Sequence, residues 1–263
     1  MNLAGRTVLL TGATGGLGQA IARRLHALGA SLVLTGRRTD VLEPLAAETG
    51  ARAMAVDLAD PAAVDALAAD CADVDVLIAN AGLPASGHAM SFTTEQIDRA
   101  LAVNLRAPMV LARLIGERMV ARGHGHIVFV SSLSGKAATP RSAVYSATKF
   151  GLRGFAGGLR QDLRPSGVGV SAVFPGFVRD AGMFAESGAK LPPGVGTSTA
   201  DAVADAVVRA IEHNRGEIDV APLPMRLGAL FSGVAPGVAA TVTRLAGGEG
   251  LGDQFGRGQA SKR

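Results

Sequence analysis

The chain has 263 residues, 48% hydrophobic and 18% charged, with a mean hydropathy of +0.29, which excludes a disordered chain because disorder needs low hydrophobicity and high charge. A single cysteine, Cys71, excludes a disulfide framework and any cysteine-based zinc site, and the five histidines form no H-x-x-x-H pair. The net charge of +4 comes without a lysine/arginine run or a basic–aromatic stripe, so no nucleic-acid partner is expected.

In chain order, the apolar run Thr7–Leu10 starts close to the N-terminus and leads straight into glycines. No basic segment with a following apolar stretch precedes it, so a cytoplasmic protein is expected. Further short apolar runs follow at Leu32–Leu34, Ala53–Val56, Val74–Ile78, Ile127–Val130, Gly169–Phe174 and Ile218–Val220. Continuous runs of this length suit parallel strands buried on both faces. Between them lie amphipathic stretches that predict helices over Leu17–Leu28, Asp40–Glu48, Pro61–Cys71, Thr94–Arg122, Ser142–Arg164 and Ala200–His213. Asp60-Pro61 reads as a cap before a first-turn proline, and Ser198-Thr-Ala-Asp201 as a capping box. The alternation predicts an α/β fold: a doubly wound parallel sheet of about seven strands with helices on both faces. No linker or repeat interrupts it, so one domain over 1–263 is expected, with its core at 4–221. The longest uncharged stretch, Leu227–Thr243, contains Pro236 and several glycines. It is shorter than the ~20 apolar residues that a spanning helix needs.

Glycine-rich or polar clusters follow the strands directly: Gly12–Gly18, Gly36-Arg37, Asp57, Asn80-Ala81-Gly82, Ser131-Ser132 and Pro175-Gly176. Ligands of open α/β sheets bind outside the carboxyl ends of the strands, so these clusters should meet in one crevice. Thr11-Gly-Ala-Thr-Gly-Gly-Leu-Gly18 opens a helix, and such a turn suits a dinucleotide pyrophosphate at the helix N-terminus. The plainer alternative is a simple turn into a helix. Tyr145 and Lys149 are four apart on a predicted helix and share a face. A lysine cation near a phenol favours the phenolate and lowers its pKa from about 10, which gives a proton donor usable near neutral pH. An ordinary surface pair is the alternative. Ser132, at the end of the fifth strand, could hold a carbonyl oxygen as charge develops on it, with Ser131 and Ser134 competing for that part.

The set T-G-x-x-x-G-x-G, N-A-G, a strand-end serine and Y-x-x-x-K resembles the short-chain dehydrogenase/reductase family over residues 4 to about 221. The resemblance implies a Rossmann fold, a nicotinamide cofactor and four catalytic residues. Tyr145 would be the general acid/base. Lys149 would lower its pKa and hold the nicotinamide ribose. Ser132 would orient the substrate carbonyl, and Asn104 would hold a relay water through a helix distortion. Gly12, Thr14, Gly16, Leu17 and Gly18 would take the diphosphate side. Asp57 and Leu58 would meet the adenine edge. Asn80, Ala81 and Gly82 would wall the cofactor, and Pro175, Gly176 and Val178 would lie beside the nicotinamide. The second strand ends in Thr35-Gly36-Arg37-Arg38 with no acid before Asp40. An arginine there accommodates a ribose 2′-phosphate, so NADP(H) is expected, with Arg37 as main contact and Thr14 and Arg38 assisting. Three positions depart from the family pattern. Gly15 stands where many NADP-preferring relatives carry a base, Ala79 replaces the first asparagine of N-N-A-G, and Asp180 replaces the threonine of P-G-x-V-x-T that bonds the carboxamide.

The Gly/Pro-rich segment at about 177–197 reads as a substrate lid, with Met183, Phe184 and Leu191 as an apolar roof or merely as anchors. An apolar ketone or alcohol is the expected substrate. The tail, 222–263, resembles the helical extensions of steroid- and retinoid-type members, and it could line the substrate mouth, form an interface or rest on a membrane. Its basic end, with Arg257, Lys262 and Arg263, could touch lipid, although packing or disorder is the commoner outcome. Gly151, Gly154, Gly157 and Gly158 on the Tyr145 helix suggest close helix approach, and with the family habit they imply a homodimer or homotetramer. No metal site is expected. The competing function is a non-catalytic NADP(H)-binding sensor on the same fold, which would not need a tyrosine proton donor. An epimerase or dehydratase also uses Y-x-x-x-K but normally has a longer C-terminal substrate domain.

Overall fold

The computed structural model describes residues 1–192, 195–245 and 247–259. The chain runs β1 (Thr7–Leu10), α1 (Gly16–Ala27), β2 (Ser31–Gly36), α2 (Thr39–Thr49), β3 (Arg52–Ala55), α3 (Pro61–Asp70) and β4 (Val76–Ala79). It continues with α4 (Thr94–Leu101), α5 (Ala107–Arg122), β5 (Gly125–Val130), α6 (Ala143–Asp162), β6 (Val168–Pro175), α7 (Gly182–Ser187), α8 (Ala200–Glu212) and β7 (Glu217–Val220). Three tail helices follow: α9 (Leu223–Val234), α10 (Pro236–Leu245) and α11 (Gly248–Gly258). The strands form one parallel sheet in the order β3-β2-β1-β4-β5-β6-β7. This is a Rossmann fold, and all seven sequence-read strands are in it.

Alternate residues of the central strands feed opposite cores, as strand geometry requires. Val8 and Leu10 pack with Leu34 and Ile78 under α1, α2 and α8, through Ile21, Leu25, Leu42, Val207 and Ile211. Leu9, opposite Val33 and Leu77, turns to the other face. There it joins Ile127, Phe129, Val64, Leu111, Ile115 and Leu152 under α3, α5 and α6. The strand order reverses between β1 and β4, which leaves a crevice at their carboxyl ends.

Two local expectations change. Thr94–Arg122 is not one regular helix, because a π turn at Ala102–Arg106 separates α4 from α5. The cap of α8 is Thr199, whose side chain accepts from Ala202 N at 3.1 Å. Ser198 instead donates to the Val220 carbonyl at 2.9 Å, tying the α8 entry to β7. The Asp60–Pro61 start of α3 is as read, with Asp60 accepting from Ala62 N at 2.9 Å. Among the described residues no helix is long and apolar enough to cross a membrane.

Candidate active site

A cleft of about 1180 Å³ opens along the carboxyl ends of the strands. Its walls hold Gly12, Thr14 and Gly16–Gly18 after β1, Arg37 and Arg38 after β2, Asp57 and Leu58 after β3, and Asn80–Gly82 after β4. Ser132 after β5, Tyr145 and Lys149 on α6, and Pro175, Gly176 and Val178 after β6 complete them. Of the four expected catalytic residues, Asn104 alone lies behind this lining, fully buried.

The β1 and β4 loops are stitched together. Thr11 Oγ1 accepts from Asn80 N at 3.1 Å and Ala81 N at 3.2 Å. The Asn80 amide donates to the carbonyls of Thr11 and Gly12 at 3.0 and 3.1 Å. Gly12 has φ +68° in this junction, and a Cβ there would sit 2.6 Å from Ala81 Cα, so only glycine fits. Thr11 had not been singled out; its signal was its place between the strand and the glycines. Helix α1 begins with no side-chain cap and no acid in its first turn. Its positive end is therefore free to take an anion, and this glycine turn with an uncapped helix fits the diphosphate of a nicotinamide dinucleotide. Arg38 donates to the Thr14 carbonyl and braces the loop, while Arg37 is exposed at the cleft wall. Burial pushes the Asp57 carboxyl up, but the Ala59 amide at 3.0 Å and Arg99 at 2.9 Å outweigh it and hold it below the usual range.

The helix distortion that the family resemblance implied at Asn104 is this π turn, Ala102–Arg106. It sets Asn104 so that Oδ1 accepts from Leu83 N at 2.6 Å while the amide donates to Leu83 O at 3.0 Å and Thr148 Oγ1 at 3.4 Å. The side chain thus clamps the β4 loop to α6 next to Lys149: a Cβ on Gly82 would lie 3.6 Å from both Asn104 Oδ1 and Lys149 Nζ. Ser131 is turned away and donates to the Lys149 carbonyl at 3.3 Å. Ser132 accepts from Ser134 N at 3.1 Å and is hydrogen-bonded to the Tyr145 phenol.

The expected lowering of the Tyr145 pKa is not what the protein's own groups produce. Burial pushes the phenol up to about 12, with the Ser132 hydrogen bond pulling against it. Lys149 Nζ lies 5.6 Å from the ring centroid and donates to the Val130 carbonyl at 3.1 Å. Burial also brings its amine down to about 8, which weakens the cation that was to stabilise the phenolate. Asp180 is not at the nicotinamide end either. It is exposed, lies off the cleft lining, and accepts from Ala200 N at 2.9 Å. Its charge serves the N-terminus of α8.

A family model for short chain dehydrogenases matches residues 6–192. The chain belongs to the short-chain dehydrogenase/reductase family. It is 37% identical over 232 residues to the ketoacyl reductase HetN of Nostoc sp. (strain PCC 7120), covering 85% of this chain and 81% of HetN. A short-chain dehydrogenase from Sphingobium yanoikuyae, solved in complex with NADPH, superposes with a TM-score of 0.77 at 32% identity, covering 89% of this chain and 94% of that one. A Burkholderia phymatum member, solved with NAD, gives 0.75 at 25% identity, covering 83% and 90%. The family is therefore shown for the fold and for oxidoreductase chemistry with a nicotinamide cofactor.

The family match ends at residue 192, and the roof of this dehydrogenase's cleft lies largely beyond it. Of the expected roof residues, Met183 and Phe184 line the cleft, whereas Leu191 does not. Phe184 packs against Phe177 (centroids 4.9 Å apart) and stacks on Phe255 of α11 at 6.4 Å. Gln259 donates to the Met183 carbonyl at 2.6 Å, and Arg141 pairs with Asp253 at 2.6 Å. The glycines that weaken α11 as a helix are what let it lie this close. A Cβ at Gly252 would meet Pro140 O at 2.7 Å, and one at Gly258 would meet Ser187 O at 2.1 Å. Met225 and Ala229 of α9 close the same side. A helical tail at the substrate mouth is among the readings of the sequence, but Phe255 is not marked by it, because the glycines around it argue against a helix there. Of the basic tail end, Arg257 is on α11, while Lys262 and Arg263 lie outside the described residues. Among the described residues no group of three or more His, Cys, Asp or Glu is placed to hold a metal.

Proposed function

We propose that the chain is a cytoplasmic NADP(H)-dependent oxidoreductase interconverting an apolar ketone and its secondary alcohol. The observation that carries the cofactor choice is Arg37, facing the cleft at the end of β2 with no acid before Asp40. A guanidinium there pairs with a 2′-phosphate, whereas an NAD-selective site places an acid at this point. The apolar roof of Met183, Phe184, Met225, Phe231 and Phe255 supports the substrate class.

Bound in the cleft, the nicotinamide supplies or takes up a hydride at the substrate carbon. The remaining work falls to the chain. Ser132 donates to the substrate oxygen and orients it. Tyr145 gives its phenol proton to that oxygen in reduction and takes it back in oxidation. Lys149 stabilises the phenolate this leaves, and Asn104 holds the β4 loop and the relay water that returns the proton. A cofactor sensor would need none of these four together. Open space beside Gly154, Gly157 and Gly158 on α6, next to the exposed Phe150, supports pairing of two copies along that helix.

Calorimetric titration with NADPH and NADH tests the reading. NADPH should bind selectively, and Arg37→Asp should weaken it about tenfold to a hundredfold without harming NADH. Equal affinities in the wild type would refute the role of Arg37. Tyr145→Phe should abolish ketone reduction while keeping NADPH binding, and an active variant would refute the mechanism.

A further inference from the structure

The tail turns an apolar face outward. On α9, Leu223, Leu227, Leu230, Phe231 and Val234 follow one helical stripe, and they are 62, 55, 60, 47 and 86% exposed. On α10, Val238, Val242 and Leu245 form a second stripe, 57, 57 and 81% exposed. The opposite side of α9 already packs inward through Met225 and Ala229, so the outer stripe is surplus to the fold. A contiguous large-residue surface of this kind marks an interaction site.

The charges around it select the occupant. Residues 220–248 contain Arg226 and Arg244 and no acid. Both arginines are exposed, and each falls between residues of the apolar stripe. A second copy placed face to face would bring these cations together with no carboxylate from this segment to pair them. An anionic bilayer answers both features: the leucines enter the headgroup–acyl boundary and the arginines reach lipid phosphates. The face is also continuous with the cleft, because Phe231 and Val242 line it and are still exposed.

We infer that α9 and α10 dock the enzyme on an anionic membrane surface, with the mouth of the cleft opening at the lipid. The second half of this statement rests on the proposed function, since it makes the substrate a lipid-dissolved ketone. The docking itself does not rest on it.

Cosedimentation of the full chain with vesicles of phosphatidylcholine, with and without phosphatidylglycerol, tests the docking. Binding should be about tenfold stronger with phosphatidylglycerol. Leu227→Asp/Leu230→Asp, neither side chain lining the cleft, should lose vesicle binding at least tenfold and keep NADPH affinity. Arg226→Gln/Arg244→Gln should erase the preference for anionic lipid. Wild-type protein that stays in the supernatant with both vesicle types overturns the docking. So does a concentration-dependent dimer that the leucine variant dissolves in the absence of vesicle binding, which would assign the face to a second copy. Lack of NADPH-dependent turnover on apolar ketones both in solution and dissolved in the vesicles would count against the proposed function and leave the vesicle result standing.

Discussion

Tyr145 is the only tyrosine and the chain has no tryptophan, so near-ultraviolet tyrosinate absorbance reports one side chain. Burial places its pKa at about 12 against an ordinary value of 10. Two units correspond to about 3 kcal/mol against the phenolate. This is an upper bound, because part of the side chain is open to the cleft and water there softens the penalty. The folded value lies above the unfolded one, so this contribution to stability is complete below pH 10 and is lost as pH rises through about 12. A spectrophotometric titration of the protein alone should therefore show no tyrosinate transition until well above pH 10. The same titration with saturating NADP⁺ brings a nicotinamide cation towards the phenol and should lower the midpoint by about one unit or more. Tyr145→Phe should give a flat trace. A transition centred below 10 in the protein alone would refute the burial argument and return the lowering to Lys149.

Three other perturbations follow from the same geometry. Gly12→Ala must force a non-glycine residue to φ +68° and drive its Cβ against Ala81 backbone; a loss of about 2–4 kcal/mol, seen in urea midpoints, should come with lost dinucleotide affinity. His126 is buried beside Ser171 (2.8 Å), and desolvation, with Arg160 and the N-terminal amine nearby, brings it from 6.5 down to about 3. Its contribution is present above pH 6.5 and lost as pH falls towards 3, about 2 kcal/mol by pH 5, so His126→Asn should flatten the urea midpoint over that window. Lys136, 7% exposed, pairs with Asp219 at 2.5 Å and Glu217 at 2.8 Å. Lys136→Met should cost about 3 kcal/mol by stranding Asp219, whereas a loss under about 1 kcal/mol in a melting experiment would mean that water replaces the amine.

What was legible in the sequence was whatever local pattern determines. Strands buried on both faces must be apolar throughout, so Thr7–Leu10 and Ile127–Val130 announced themselves, and the polar clusters after them located the crevice. What was not legible depends on distance. The helix distortion at Asn104 is implied by the family resemblance alone: the π turn at Ala102–Arg106 leaves the periodicity of Thr94–Arg122 unbroken, and what Asn104 reaches, Leu83 and Thr148, is not written in it. The Tyr145–Lys149 spacing gave a shared face but not the depth of burial, and burial decides the sign of both shifts. Ser198 and Thr199 are equally good caps by type, and the nearby Val220 carbonyl takes Ser198 out of the competition. Helix α11 is held by the lid and by Arg141, partners far away in the chain.

The same distant contacts join the two ends of the cleft. A Cβ on Gly16 would lie 2.8 Å from Ala181 Cβ, so the segment that opens α7 touches the glycine turn after β1. Two residues later the Met183 carbonyl accepts from Gln259, and Phe184 stacks on Phe255. Asp180, just before this segment, is fixed on the N-terminus of α8. The chain is thus tied to a helix end, seated on the glycine turn and fastened to the tail within five residues, Asp180–Phe184. Under the proposed function, a dinucleotide on Gly16 would reach the apolar roof through Ala181, and Asp180 anchors that segment on the N-terminus of α8.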